Sequence, residues 1–354
     1  MLDAVIRAYH PQDALAVAEL MSAVYGPAAT PSAIWRWRHF GWNAERSATL
    51  VATSQGRLVG LRPMEIYDFH LGGTPLRGGV FSGVMVHPEH RRRGLFTRLV
   101  EASEQLAWER GASFVTTMPN QRSFPGFIKK GYADPGCRQL MLRPCRPVRA
   151  LCHHLGPFGQ ALRSLANLED DAAKSFEAAR VDKAIHSGPC SFDSAYDELA
   201  LAHAARFPGL VLTRDAHWLQ WRFAASPWHH YQLHSLRKAG HLAGYAITTQ
   251  AQHKKTQVGY LIDLVALEGT HRRALAQAAL VSLAHQGCHL LATVVSSPHL
   301  QRDLLCSGLL PVPTPLSPKR FYTVYRANAK ATRELAPLSR ISSWYLTLGD
   351  WDTL

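Results

Sequence analysis

Val84-Met85-Val86-His87-Pro88-Glu89-His90-Arg91-Arg92-Arg93-Gly94-Leu95-Phe96-Thr97 is the stretch that decides how this chain folds. It starts as an apolar strand and ends in the first turn of an amphipathic helix. Pro88 has no N–H to give a sheet ladder, so strand pairing stops there and nearby main-chain groups are left to meet something else. Gly94 lets the chain approach a bulky group with no Cβ in the way. The first amides of the following helix have no partners inside it, and the helix dipole adds an attraction for anions of ~0.3–1 kcal/mol. Arg91, Arg92 and Arg93 supply further positive charge. Elementary chemistry makes this turn a cradle for a pyrophosphate. The plain alternative is a solvated basic turn ahead of an ordinary helix.

On either side the elements alternate. Val5–Tyr9 reads as a strand, and Pro11 to about Tyr25 carries a helical apolar stripe of Leu15, Val17, Leu20, Met21 and Val24. Pro31 to about Phe40 reads as a second helix with proline near its first position. Three strand runs follow, Thr49–Thr53, Leu58–Phe69 and Val80–Val86, with Gly56 and Gly72-Gly73 at the turns. A helix from Gly94 to about Arg110 is stopped by Gly111. Ser113–Met118 is a strand, Pro119–Lys130 holds a short helix, and Tyr132–Arg143 is a last strand region. Residues 146–190 form an Ala-rich connector with a helix between about Phe158 and Arg180.

The remainder repeats this order weakly. Thr30, Ala33, Trp35 and Phe40 have counterparts Thr213, Ala216, Trp218 and Phe223 at one constant offset, and Gly111 and Gly131 recur as Gly287 and Gly308. Strands at His230–Leu236, Leu242–Thr248 and Gln257–Leu267, a helix at Arg272–His285 and a strand at Leu290–Val295 complete the parallel, which points to internal duplication. The expected fold is α/β with mixed sheets: two tandem domains, residues 1–145 and 191–354, each a mostly antiparallel sheet flanked by helices.

Bulk properties agree. The chain has 354 residues, too many for one ordinary core, and with 47% hydrophobic and 18% charged residues each half has the means to bury one. No apolar run reaches the ~18 residues of a spanning helix, and Asp3, Arg7, His10, Asp13 and Glu19 interrupt the N-terminus. A cytoplasmic protein without a membrane span is expected. The six cysteines are scattered without a CxxC pair and read as reduced packing residues; Cys152-His153-His154 alone does not close a zinc tetrahedron, so no metal is expected. The formal charge of +13 raises nucleic acid as a partner, but the one dense cluster is Arg91–Arg93, and no RNP pattern, zinc finger or recognition helix accompanies it.

Val86-His87-Pro88-Glu89-His90-Arg91-Arg92-Arg93-Gly94-Leu95-Phe96 resembles the acetyl-CoA signature of the GNAT acetyltransferases, Val-x-Pro-x-x-[Arg/Gln]-x-x-Gly-x-[Gly/Ala]. Phe96 departs from the small residue at its end. Asn120 and Phe127-Ile128-Lys129-Lys130-Gly131-Tyr132 resemble a second family segment, and the likeness covers about residues 3–140. It implies that main-chain groups of Val84, Met85 and Val86 pair with the pantetheine arm of acetyl-CoA. Arg91, Arg92, Arg93, Gly94, Leu95, Phe96 and Thr97 would hold the pyrophosphate, and Asn120 would reach the cofactor unless it serves only as a helix cap.

The family's acid–base groups are missing. Phe127 stands where many members place a tyrosine that protonates the leaving thiolate, and Ser113–Thr117 carries no carboxylate where some place a base. Replacements are Glu65 or Asp68 on the third strand run, Tyr132, or the tail Gly349-Asp350-Trp351-Asp352-Thr353-Leu354 with the carboxylate of Leu354. The last follows a distant similarity to the tandem-domain Eis-like acetyltransferases, which share the Arg-Arg-Arg-Gly-Leu run. The second half lacks the cradle: Ala274 or Leu275 aligns with Gly94, and Glu268 puts negative charge where phosphate would sit. That half is expected to shape the acceptor pocket, with Trp218, Trp221, Trp228, His229 and His230 as lining. The resulting expectation is an N-acetyltransferase acting on a primary amine of a small molecule or amino sugar. The alternative is a catalytically inactive acyl-CoA-binding or partner module.

Overall fold

Pro63 and Gly83 split the molecule's central sheet. The computed structural model describes residues 4–26, 32–145, 181–253 and 256–350. Strands β1 (Val5–Ala8), β2 (Leu50–Ser54) and β3 (Arg57–Arg62) form an antiparallel meander, and β4 (Met64–Leu71) and β5 (Thr74–Phe81) form a hairpin. The run expected over 58–69 is therefore two strands. Pro63 between them has no N–H, and its carbonyl takes the Ser82 amide (3.3 Å) instead. The run expected over 80–86 also divides. Gly83, at φ 67°, turns the chain out of β5, and β6 (Met85–Val86) pairs with β3. Beyond that point β6 belongs to the sheet β1-β2-β3-β6. Its predecessor β5 stays in a second sheet, beside β7 (Phe114–Thr117), which runs parallel to it. The two sheets part there.

Helix α1 (Ala14–Tyr25) follows a short turn, Pro11–Asp13, capped by His10, and buries Val17, Leu20 and Met21. Helix α2 (Ser32–Phe40) comes next. Helix α3 (Leu95–Glu109) lays Leu95, Leu99, Val100 and Ala107 on the sheet, each large aliphatic contributing ~1.5–3 kcal/mol. It lies close because β3 carries Gly60: a Cβ there would stand 2.9 Å from Leu99 Cδ1. Helix α4 (Phe124–Lys129) precedes β8 (Cys137–Pro144), shorter than the 132–143 expected because Asp134-Pro135-Gly136 turns before it.

The two halves exchange strands. β8 leaves the first half and pairs antiparallel with β14 (Leu290–Val295). In return β17 (Val324–Ala327) pairs antiparallel with β7. The second sheet runs β17-β7-β5-β4-β10-β18, where β10 (Leu210–Leu212) and β18 (Trp344–Tyr345) also come from late in the chain. The third runs β15-β8-β14-β13-β12-β11-β9, with β9 (Ile185–Pro189), β11 (Gln232–Lys238), β12 (His241–His253), β13 (Thr256–Ala266) and β15 (Leu310–Pro311). β9, within the stretch read as connector, is its edge strand. β16 (Phe321–Tyr322) pairs off-path with β8. Helices α5 (Ala195–Arg206), α6 (Ala216–Leu219), α7 (Gly269–His285) and α8 (Pro298–Cys306) belong to the second half. The architecture is mixed α/β, as expected, with helices flanking mixed and antiparallel sheets. The connector helix expected over 158–180, Cys152-His153-His154 and the tail residues 351–354 lie outside the described residues. No helix among the described residues is long and apolar enough to cross a membrane.

Candidate active site

Where the sheets part, a cavity of about 530 Å³ opens. Phe81, Ser82, Gly83, Val84 and Met85 form one wall, and Thr116, Thr117, Met118 and Asn120 form the facing one. Val84 stands outside any ladder, while Val86 pairs with Gly60 and its carbonyl accepts from Arg91 Nε (3.2 Å). Past Val86 a short turn, Pro88–His90, leads through Arg92 (φ 59°) to Gly94 (φ 79°), the residue before α3. The helix's own first bond runs from the Arg98 amide to the Gly94 carbonyl (3.1 Å). The amides of Leu95, Phe96 and Thr97 therefore have no acceptor in the preceding turn. The space a Cβ on Gly94 would enter is open to 4 Å. Its glycine is required by its left-handed backbone, and the open space is where a ligand would lie.

Phe96 lines the cavity and meets Phe127 edge-on (5.7 Å). Gly126 lies beside the Phe96 ring, at a distance where even a Cβ would make only ordinary contact (3.6 Å). Asn120 lines the cavity too, but its Oδ1 accepts from the Arg122 and Ser123 amides (3.0 Å each). The side chain thus caps the turn 121–123 that leads into α4, whose own N-cap is Ser123.

The replacement acid–base groups separate. Tyr132 is 3% exposed, packs edge-on against Phe127 (5.0 Å) and does not line the cavity. Burial raises its phenol well above its ordinary pKa. Asp68 pairs with Arg46 (2.6 Å) at the sheet surface. Leu354 lies outside the described residues, but Asp350 of the same tail lines the cavity. Arg214 Nη2 holds Asp350 at 2.7 Å. Glu65 is buried, and its Oε1 is bonded to Nδ1 of His39. His39, from α2, lines the cavity, lies against the Trp35 ring (4.0 Å), and has no partner on Nε2 among the described residues. Burial lowers its pKa, opposed by the Glu65 charge, so the ring is neutral near pH 7. With Nδ1–H given to the carboxylate, Nε2 keeps its lone pair toward the cavity. Sequence reasoning missed His39. It is one histidine on a helix with no spacing to mark it.

Residues 5–133 match the family model described as an acetyltransferase (GNAT) domain. The matched stretch holds the cradle, the parted strands, Glu65, His39 and Phe127, and it ends just before β8. Solved structures share the fold. A GCN5-related N-acetyltransferase from Anabaena variabilis is 14% identical, with 92% of this chain and 72% of that one covered and a TM-score of 0.60. Another from Kribbella flavida is 14% identical, with 92% and 71% covered and a TM-score of 0.59. Saccharomyces cerevisiae N-myristoyltransferase, solved with bound myristoyl-CoA, is 12% identical, with 93% and 84% covered and a TM-score of 0.58. Comparison with curated proteins gives no match. The domain match supports acyl transfer as the class of chemistry, and the solved structures show the fold.

Later in the chain, the place where β13 and β14 diverge is filled. β13 pairs with β14 only over Val258–Tyr260, then diverges from it. Residues 344–347 occupy the gap: the Ser296 amide donates to the Leu346 carbonyl (3.1 Å), and Thr347 Oγ1 donates to Asp263 Oδ1 (2.9 Å). Arg272 and Arg273, at the start of α7, are both held by Asp303 (2.6 and 2.9 Å). Of the aromatic residues expected around an acceptor, Trp228 lines the large cavity. Trp218 and Trp221 line a smaller one of about 80 Å³ beside Glu65 and Asp350. His229 and His230 line neither. Among the described residues no cluster of three metal-ligating side chains occurs.

Proposed function

We propose that the chain is an N-acyltransferase that takes an acetyl group from acetyl-CoA and gives it to a primary amine of a small molecule. One observation carries the reading: helix-start amides with no acceptor among the described residues follow left-handed Gly94, ten residues on from the strand end that walls a cavity between parted strands. These groups suit a coenzyme A. The amides of Arg92–Thr97 offer donors and helix-dipole charge to a pyrophosphate, and Val84, free of the sheet, offers main-chain groups to a pantetheine amide. The bound thioester supplies the activated acyl group.

The chain's own residues supply the rest. His39 Nε2 takes the proton from the attacking amine, and Glu65 holds the ring and steadies the imidazolium. The carbon–nitrogen bond forms as the carbon–sulfur bond breaks, and the thiolate leaves without a proton from Phe127. Glu65 is thus a positioning residue rather than the direct base. The two halves are read as a duplication in which only the first keeps a donor site and the second closes the acceptor side through Trp228, Lys319 and Asp350.

Acetyl-CoA binding and thiol release to DTNB over a panel of amines test the reading. Gly94→Glu is expected to abolish acetyl-CoA binding by adding a side chain and a charge where phosphate lies. Undiminished affinity in that variant defeats the proposal. Binding without turnover on any amine favours the inactive CoA-binding module.

A further inference from the structure

The smaller cavity, of about 80 Å³, adjoins the large one. Val80, Ser82, Thr116 and Met118 line both. Val80 and Thr116 are partners in the parallel register of β5 and β7, whereas Phe81 and Thr117, one residue on, line the large cavity alone. The two spaces therefore share one face of the sheet. The His39–Glu65 pair spans the partition: His39 lines the large cavity and Glu65 the small one.

Chemically the two spaces differ. Tyr67, Phe69, Leu212, Trp218, Trp344 and Leu346 make the small one aromatic and aliphatic. The charged groups beside it are engaged. Glu65 is bonded to His39, and Arg38 lies in the field of Glu65. Arg222 Nε donates to the carbonyl of Gly349 (3.1 Å). Asp350 keeps Oδ1 unbonded among the described residues, but Arg214 pairs with it (2.7 Å) and Arg138 adds to the positive field on it. A further charge entering this space would have to break one of these contacts or lose its water without a counter-ion. The cradle-side residues Val84, Met85, Phe96 and Asn120 line the large cavity and not the small one. The small one is walled instead from β10, α6, β18 and the segment after β18, away from the donor's side.

We propose that the small cavity receives the arm of the acceptor, and that this arm is short, uncharged and apolar. The space is about half of the ~150 Å³ that holds a benzene ring, so the arm is an aliphatic chain of about three or four carbons. The inference rests on the acyl-transfer reading of the large cavity. The amine nitrogen stands at His39 Nε2, and its chain passes Val80 and Thr116 into the aromatic enclosure. A terminal ammonium or carboxylate on that chain is excluded by the cost of burying it.

The test is thiol release from acetyl-CoA with ethylamine, propylamine, butylamine and hexylamine, and with the terminal diamine and terminal amino acid of butylamine's length. The value of kcat/KM should climb by about fourfold per methylene as far as butylamine and climb no further at hexylamine. Both charged matches should fall at least about tenfold below butylamine. Leu212→Ala should move the optimum to a longer chain through the acceptor KM. Leu212→Val, which removes a single methylene, should move it less and serves if the larger deletion unfolds the protein. A merely structural Leu212 would lower the turnover of all amines alike. A profile flat in chain length, a charged match equal to butylamine, or an optimum unmoved in the folded variants overturns the proposal while acyl transfer stands. So does a preference for butanoyl-CoA over acetyl-CoA that shifts with Leu212, which would give the cavity to the acyl chain. If no amine releases thiol, the acyl-transfer reading fails separately. The cavity is then read by calorimetry with N-butylacetamide and N-ethylacetamide in the presence of CoA. Tighter binding of the butyl compound that weakens in Leu212→Val supports the site, and equal binding of the two sinks it.

Discussion

Trp37 and Trp221 each donate an indole N–H to the other's main-chain carbonyl, at 2.9 and 2.8 Å, with their rings stacked 5.4 Å apart. Trp37 comes from α2 and Trp221 from the π turn Gln220–Ala224 that follows α6. The reciprocal pair ties two segments 184 positions apart in the chain. Trp221→Phe should cost about 1 kcal/mol, since the Trp37 carbonyl keeps the Gly41 amide (2.9 Å). In denaturant unfolding, Trp37→Phe and Trp221→Phe together should cost less than their sum. Strict additivity would deny the coupling.

Gly60 and Leu99 form a size-matched pair beneath the cradle helix. Leu99→Ala should destabilise by ~2–5 kcal/mol through the cavity it leaves. Gly60→Ala, whose methyl would meet Leu99 Cδ1 at 2.9 Å, should also destabilise. The double variant should recover part of the loss, because the new methyl enters the vacated space. Thermal unfolding of the three variants checks this; a double variant no better than Leu99→Ala would contradict it.

If His39 is the proton acceptor, His39→Asn should lower kcat by ~100- to 10,000-fold with acetyl-CoA affinity retained. Glu65→Gln removes the charge that raises the His39 pKa, so the acidic limb of the kcat/KM profile should move to lower pH. An unmoved limb, or full activity in His39→Asn, would shift the role to Asp350.

Two further imidazoles make stability depend on pH. Burial pushes His203 down to about 3 and His234, bonded to Ser187 (2.7 Å) and Thr248 (3.1 Å), down to about 4. Both folded values lie below the unfolded ~6.5, so the unfolded chain binds more protons in the interval between. Stability should therefore fall as pH drops from about 6.5 toward 4, by about 1.4 kcal/mol per pH unit for each imidazole. Guanidinium titrations at pH 7 and 5 read the slope. His234→Gln should reduce it by about one proton, and a slope that ignores the substitution would refute the assignment.

Arg214 is enclosed between Asp263 (3.0 Å) and Asp350 (2.7 Å), and Tyr245 donates to the same Asp263 (3.0 Å). The two carboxylates hold the guanidinium charged despite its burial. Arg214→Met leaves both acids uncompensated and should cost ~3–5 kcal/mol. Because Asp350 lines the cavity, the acceptor KM should rise as well. Loss of stability with an unchanged KM would confine the cluster to a structural role.

The strand, the broken ladder at Pro88, Gly94 and the helix behind it were determined by sequence alone, because each follows from bonds within about ten residues of chain: a missing N–H, a permitted backbone angle, an apolar spacing. The order of elements in the first half followed in the same way, although runs spanning Pro63 and Gly83 hid that one sheet would become two. Only the tertiary structure decided which acid–base groups meet. His39 and Glu65 are 26 residues apart and become partners because α2 packs beside β4. Tyr132, five residues beyond Phe127, is turned into the core. Asp350 lines the cavity while held by Arg214, 136 residues away (2.7 Å), and such a long-range contact leaves no periodic mark. Local backbone chemistry is written in neighbouring residues; the composition of a cavity depends on side chains brought together over long loops, and their packing exists only once the whole chain has folded.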